Sequence, residues 1–273
     1  MSRINQPADH DSSALVDKMP QITVAFWVMK IAATTLGETG GDWLSMTMNL
    51  GYLTSTLVFF TLFLIALGLQ LAVKKHYPML FWTVIVATST SGTTMSDYMD
   101  RTLNLGYAKG AGILLAILLT SLALWKVTVG DLSVTNIRTR KAEIFYWVTI
   151  LFSNTLGTAS GDFLSDDSGL GFLGSWLLIT AILAAILALN YTTKLSKVFL
   201  FWIAFILTRP FGATFGDVLT KPGDQGGLNF GRGYSSFILL AILVVAILVS
   251  YRKKSQLEDD TAIDADTEEP AAM

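Results

Sequence analysis

Eight long and mostly apolar segments alternate with short polar ones between residues 22 and 251. Each segment has about the length that a helix needs to cross the hydrocarbon core of a bilayer. The pattern predicts helices at 22–44, 52–73, 79–99, 106–126, 143–164, 172–191, 197–219 and 233–251. We therefore expect an all-α integral membrane protein with eight transmembrane helices.

The first, third, fifth and seventh segments share one residue pattern. Each opens with an aromatic residue and a tryptophan, followed by a glycine ten residues after the tryptophan and an aspartate fifteen after it. The tryptophans are Trp27, Trp82, Trp147 and Trp202, the glycines Gly37, Gly92, Gly157 and Gly212, and the aspartates Asp42, Asp97, Asp162 and Asp217. Ten residues after the aspartate an aromatic opens the next segment (Tyr52, Tyr107, Phe172), and in the fourth copy we assign this position to Phe230, after a three-residue insertion.

The chain is therefore predicted to consist of four copies of a two-helix unit. Because two helices return the chain to its starting side, the four copies are parallel repeats. The aspartates lie 55, 65 and 55 residues apart, so the first two copies map onto the last two with an offset of 120. This spacing predicts two four-helix halves, 22–128 and 143–251, joined by a cytoplasmic linker at 129–142.

The ends of the chain differ in character. Residues 1–21 are polar and lack the features of a signal peptide, so we expect a cytoplasmic tail. Residues 252–273 are rich in acidic residues and predict a disordered acidic cytoplasmic tail.

Lysine and arginine predict the orientation, because short cytoplasmic loops are enriched in them. The tails and loops on one side carry Arg3, Lys18, Lys74, Lys75, Lys126, Arg138, Arg140, Lys141, Lys194, Lys197, Arg252, Lys253 and Lys254, and the opposite side carries Arg101, Lys109, Lys221 and Arg232. Both termini should therefore be cytoplasmic. The tryptophans then fall near the inner interface, where anchoring or packing explains them, and each aspartate lies roughly 22 Å further along its helix.

The four aspartates are the first candidate site. Glycine permits unwound backbone, and unwound backbone at membrane depth would expose carbonyl oxygens beside each carboxylate. Oxygen ligands of this kind suit hard cations. The alternative is structural, since small residues also allow close helix packing and an aspartate at a helix end can act as a cap.

Further polar residues extend the site inward. We assign the substrate pathway to Thr34, Thr39, Ser89, Thr93, Asn154, Thr158, Arg209 and Thr214. Glu38 lies one helical turn before Asp42, and two carboxylates this close could share a proton. Arg209 should pair with an acid of a neighbouring unit, and an arginine in the pathway would also repel cations or recruit an anion. We expect Lys30 to reach the inner interface by snorkelling.

Composition supports the membrane assignment and excludes several functions. The chain is 52% hydrophobic and 15% charged, outside the usual range of soluble domains. The absence of cysteine excludes disulfides and thiolate metal sites. Neither a nucleotide-binding loop nor a zinc-protease or serine-hydrolase motif occurs. We expect neither an enzyme nor a cofactor, and no nucleic-acid partner.

The tryptophans and Gly/Asp motifs resemble those of bacterial membrane proteins made of four tandem copies of a repeat of unknown function, each with two membrane helices and a tryptophan. The resemblance covers roughly residues 22–251 and departs from the pattern at the insertion around Lys221, Pro222 and Gly223. It implies this architecture in a bacterial inner membrane, and no activity.

The residues favour a transporter for a hard divalent cation, with manganese as the first candidate, exchanged for protons. The four aspartates would bind the cation and Glu38 would carry the proton. One alternative is a channel with the aspartates as a selectivity ring. Others are a sensor or scaffold that transports nothing, and a carrier for a neutral or anionic organic solute. The sequence does not indicate the oligomeric state.

Overall fold

The structure is a computed structural model that describes residues 20, 22–132, 134, 137 and 139–267. The predicted N-terminal tail except residue 20, and part of the predicted linker, lie outside this range. The eight predicted helices are confirmed, and the described residues form no strand. The helices are α1 Val24–Asp42, α2 Tyr52–Ala72, α3 Pro78–Asp97, α4 Tyr107–Val129, α5 Arg140–Asp162, α6 Gly171–Thr192, α7 Lys197–Thr220 and α8 Arg232–Thr267.

Local sequence signals explain where the odd-numbered helices begin. The side chains of Thr23, Thr139 and Ser196 accept hydrogen bonds from the backbone N–H three residues later, which caps α1, α5 and α7. Helix α3 begins instead at Pro78, whose fixed φ suits the first helical position. After the aspartate in the first three repeats, the chain continues as one π-helical turn, at Trp43–Thr47, Tyr98–Thr102 and Phe163–Asp167.

The turn that leads into each even-numbered helix corrects the repeat alignment. Asn49 and Gly51 both have positive φ, as do their counterparts in the other copies. These pairs are Asn104 with Gly106, Gly169 with Gly171, and Asn229 with Gly231. The first residue of the pair lies seven residues after the aspartate in three copies, but Asn229 lies twelve after Asp217. The insertion is therefore five residues long, and Arg232 rather than Phe230 occupies the position of Tyr52.

The helices form two concentric rings. The odd-numbered helices make the inner ring, in which α1 packs against α3, α3 against α5, α5 against α7, and α7 against α1. Each even-numbered helix packs on the next inner helix, so α2 lies on α3, α4 on α5, α6 on α7 and α8 on α1. The division into two four-helix halves stays a prediction; in the inner ring α3 and α1 of the first predicted half pack against α5 and α7 of the second.

Apolar residues cover the outside of this bundle. Helices α2, α4, α6, α7 and the Arg232–Arg252 part of α8 are long and apolar enough to cross a membrane. In the four outer helices only 22%, 22%, 11% and 28% of the most apolar window is buried, against 50% in α7. Such exposed apolar surface is typical of a multi-pass membrane protein. Helices α1, α3 and α5 fall below the hydropathy of a membrane span because they carry the polar motifs.

Glycines set the close approach of the inner helices. A Cβ placed on Gly37 would lie 2.6 Å from Ser89 Cβ, one on Gly92 3.0 Å from Asn154 Cβ, and one on Gly212 2.7 Å from Thr34 Cβ. The expectation of unwound backbone is wrong, since all four motifs from the glycine to the aspartate are helical. The glycines serve helix contact instead.

The tryptophans pack inside the predicted cytoplasmic end of the inner ring. Trp82, Trp147 and Trp202 are buried and Trp27 is partly buried. Rings of neighbouring helices contact one another, with 5.7 Å between the centroids of Phe26 and Trp82 and 5.6 Å between those of Phe81 and Trp147. Packing therefore explains these residues.

The last helix extends into the segment that the sequence predicts to be an acidic tail. Helix α8 continues to Thr267. No glycine or proline interrupts the sequence between Gly233 and Pro270, so no residue type that ends helices occurs earlier.

We expect Gly212→Ala to destabilise the protein by about 1–3 kcal/mol, because overpacking a tight contact forces a backbone shift. The added methyl would lie 2.9 Å from the backbone carbonyl carbon of Thr34. Thermal unfolding in detergent measures the effect. The matched control is Gly68→Ala in α2, where no atom lies within 4 Å of the new Cβ. An equal Tm for both variants would contradict this account.

Candidate functional site

Each inner helix carries one buried stripe that faces the inner helices on either side. The stripe contains the residues 3, 7, 11 and 15 positions after the tryptophan, which share one helix face because of their i, i+4 spacing. From the tryptophan end outward, the four stripes are Lys30-Thr34-Glu38-Asp42, Ile85-Ser89-Thr93-Asp97, Ile150-Asn154-Thr158-Asp162 and Phe205-Arg209-Ala213-Asp217. All sixteen side chains are buried. Together they form a polar column, which we call the axial column.

Arg209 crosses the centre of the axial column and contacts all three other inner helices. Its Nη1 donates to the backbone oxygen of Thr34 at 2.9 Å, and its Nη2 donates to the backbone oxygen of Ser89 at 3.2 Å and to Thr158 Oγ1 at 2.8 Å. It also contacts Thr93 Oγ1. The guanidinium forms an ion pair with Glu38 at 3.2 Å. The predicted pairing with an acid of a neighbouring unit is thus present in the structure.

Glu38 is surrounded by donors. Its Oε2 accepts from Thr93 at 3.2 Å and from Thr158 at 3.4 Å, in addition to Arg209. These donors compensate a carboxylate that would be costly in an apolar interior. The sequence suggested that Glu38 and Asp42 could share a proton. In the structure Glu38 contacts this network of donors.

The four aspartates form a buried ring at the other end of the column, and each one contacts a basic side chain. Arg101 bridges Asp97 at 3.1 Å and Asp162 at 3.3 Å. Lys221 pairs with Asp217 at 3.3 Å. The fourth partner comes from α8, where Arg232 pairs with Asp42 at 3.2 Å.

Aromatic residues enclose the basic partners. Arg101 donates to Tyr52 Oη at 3.3 Å, and its guanidinium carbon lies 5.9 Å from the Tyr52 ring centroid and 5.6 Å from that of Tyr107. Lys221 Nζ lies 4.8 Å from the ring centroid of Phe172. These contacts add cation–π attraction to the ion pairs.

The aspartates do not converge on one point. Among the residues that the structure describes, no group of three or more histidine, cysteine or acidic side chains is placed to hold a metal ion. The physical reason is that each carboxylate faces a basic side chain at the rim of the column. The exposed carbonyl oxygens that the sequence suggested are also missing, because the motif backbone is helical.

The structure brings most predicted pathway residues together. Thr34, Ser89, Thr93, Asn154, Thr158 and Arg209 all lie on the axial column. Thr39 instead accepts a hydrogen bond from Ser236 of α8 at 2.8 Å. Thr214 lies near Gly161 at the contact of α5 with α7 and donates to Pro210 O at 2.9 Å. These two side chains therefore serve helix packing.

Sequence reasoning missed the basic partners of the aspartates. Arg101 and Lys221 follow Asp97 and Asp217 by four residues, a spacing that favours ion pairs within one helical turn. Arg232 carried no such local signal, because it contacts Asp42 across 190 residues. The expectation that Lys30 snorkels is wrong: it is fully buried, with Nζ 4.0 Å from the ring centroid of Phe205.

We expect the variants Arg209→Met and Glu38→Gln to be strongly coupled in stability. Arg209→Met alone leaves the Glu38 carboxylate buried without a cation, which costs about 3–5 kcal/mol. In the double variant the carboxylate is gone, so its loss should fall short of the sum of the single losses by about 1 kcal/mol or more. Thermal or denaturant unfolding gives this coupling energy.

The control cycle combines Glu38→Gln with Lys109→Gln, a change at an exposed lysine. That cycle should be additive. Additivity of the Arg209 cycle as well would show that the pair contributes no coupling.

Comparison with known proteins agrees with the internal symmetry. No curated protein and no solved structure matches the chain. The family described as Repeat of Unknown Function (DUF347) matches residues 25–76, 80–131, 145–196 and 200–256. These ranges coincide with the four two-helix units of the bundle and cover most of the chain. The protein belongs to this family and contains four copies of its repeat.

Proposed function

We propose that all eight helices cross the membrane and that the protein is a transporter, which moves a cation along the axial column. The observation that carries this proposal is the ring of four buried aspartates at the end of a polar column inside an apolar bundle. Ionisable groups inside a membrane are costly and usually mark a substrate or proton pathway.

The basic side chains that pair with the four aspartates compete with the cargo for the carboxylates. The side chains of Arg101 and Arg232 are 27% exposed and that of Lys221 is 16% exposed, whereas the aspartates that they contact are almost fully buried. A basic side chain at the rim can turn outward and release its carboxylate. The cargo then takes over the contact with the ring.

We propose a hard divalent cation as cargo, with manganese as the first candidate, in exchange for protons. Carboxylate and hydroxyl oxygens suit such ions. In the present arrangement the described carboxylates do not form a metal cluster, so binding requires the ring to contract after the bases leave. Glu38 is the proposed proton carrier, since it is the carboxylate nearest the centre of the column.

A carrier fits the column better than an open channel. Arg209 fills the centre, and aromatic rings pack between the inner helices at the tryptophan end. Transport therefore needs a conformational change that separates these contacts, as in alternating access. The pairing of every aspartate with a base also supports a second candidate function, a membrane scaffold that transports nothing.

We expect purified protein in proteoliposomes to move manganese, magnesium, calcium or sodium inward as protons leave, which an internal pH dye records. Asp42→Asn and Glu38→Gln should each lower the flux by at least about tenfold, equivalent to about 1.4 kcal/mol. The matched control is Asp224→Asn, an exposed acid outside the ring. Absence of flux for all four ions, with folded protein, would favour the scaffold.

The same flux assay tests whether the basic side chains compete with the cargo for the aspartates. Arg101→Gln removes the cation between Asp97 and Asp162 and should lower the half-saturating cargo concentration by about threefold to tenfold. Lys109→Gln on the same side should leave it unchanged. An unchanged value for Arg101→Gln would contradict competition at the ring.

We also propose that both termini are cytoplasmic, because basic residues cluster on the tryptophan side of the bundle. The chain contains no cysteine, so single cysteines report the topology without background. In intact cells that express the protein, an impermeant maleimide should label Lys109→Cys and should not label Lys75→Cys. The opposite labelling pattern would reverse the orientation.

A further inference from the structure

The charged group nearest the tryptophan end of the axial column is the Lys30 ammonium, which has no counter-ion among the described residues. Lys30 is 0% exposed, and its Nζ has no hydrogen-bond partner among the residues described. Its three repeat-equivalents are Ile85, Ile150 and Phe205, which are buried and apolar. The ammonium lies over the face of the Phe205 ring, 4.0 Å from its centroid. Burying a charge with so little compensation is costly.

The next layer outward holds more polar atoms that lack a partner among the described residues. Ser89 Oγ, both amide atoms of Asn154, and Arg209 Nε are buried and meet no hydrogen-bond partner in the described part of the chain. Helical side chains lean toward the helix N-terminus. Ser89 and Asn154 lie one turn after Ile85 and Ile150, between the levels of Lys30 and Glu38.

The charge balance of this region is positive. Lys30 and Arg209 contribute two positive charges, and Glu38, one turn further out, contributes one negative charge that is already paired with Arg209. The aspartates lie a further turn outward and have their own basic partners. The four aspartates share three bases, so the charges of the whole column balance, but the four stripes hold no acid at the level of Lys30.

We propose that Lys30, Ser89, Asn154 and Arg209 bind a small monovalent inorganic anion of the halide type in the centre of the inner ring. Lys30 supplies the charge, and Ser89 Oγ, Asn154 Nδ2 and Arg209 Nε supply neutral and charge-assisted donors from three other helices. Water would satisfy the donors but would leave the charge uncompensated. The site lies in the axial column on the tryptophan side of the aspartate ring, so its residues differ from the aspartates that are proposed to bind the cation.

The test measures the thermal stability of the purified full chain in detergent with chloride or bromide, against gluconate at equal ionic strength. A ligand that binds only the folded state raises Tm, and a tenfold excess over Kd should raise it by roughly 3–6 °C. Lys30→Met should abolish the halide response and should be more stable than the wild type in gluconate, since the unpaired charge is gone. Asn154→Ala should weaken the response.

Ile85→Met is the matched control, because it places the same side chain at the equivalent position of the second repeat and keeps the charge. It should retain the full halide response. A wild type whose Tm is equal in halide and gluconate would overturn the proposal and leave water as the occupant. An undiminished halide response in Lys30→Met would also overturn it, by assigning the binding to another place. Neither result bears on cation flux, which the aspartate variants test.

Discussion

The contact of one guanidinium with the three other inner helices is the interaction on which the interior depends. Arg209 starts from α7 and reaches backbone oxygens of α1 and α3, a hydroxyl of α5, and the carboxylate of Glu38. Few side chains other than arginine could make these contacts, because the guanidinium offers five donors in a rigid plane. The inner ring therefore has a polar centre that holds its helices in register.

The glycine contacts make this reach possible. At every junction of the inner ring a glycine of one helix lies against the residue seven positions after the tryptophan of the next. At each of the two middle levels of the column, one long side chain, Arg209 or Glu38, lies among shorter ones. Lys30, Arg209 and Glu38 each occur in one copy only, so the four repeats are equivalent in backbone and different in charge.

Much of the fold could be predicted from the sequence. The helices, the four repeats and the stripe positions follow from local spacing, which the identical register of Trp27, Gly37 and Asp42 in later copies reveals. Tertiary contacts decided the rest. The glycines serve helix contact, Lys30 is buried beneath Phe205, and Arg232 pairs with Asp42, and none of these facts has a local signal. The length of the insertion emerged only from the positive φ of Asn229 and Gly231.

Closure of the ring by α8 on α1 has a consequence for biosynthesis. Asp42 leaves the ribosome early, whereas Arg232, its partner, emerges after nearly the whole chain has been made. Until α8 inserts, one side of α1 therefore lacks its helix partner and the Asp42 carboxylate lacks its base. Helices α2 to α6 can assemble in order, but the ring stays open until α7 and α8 insert. Proteins built this way acquire their final stability in one late step, and quality control in the cell has a single event to monitor.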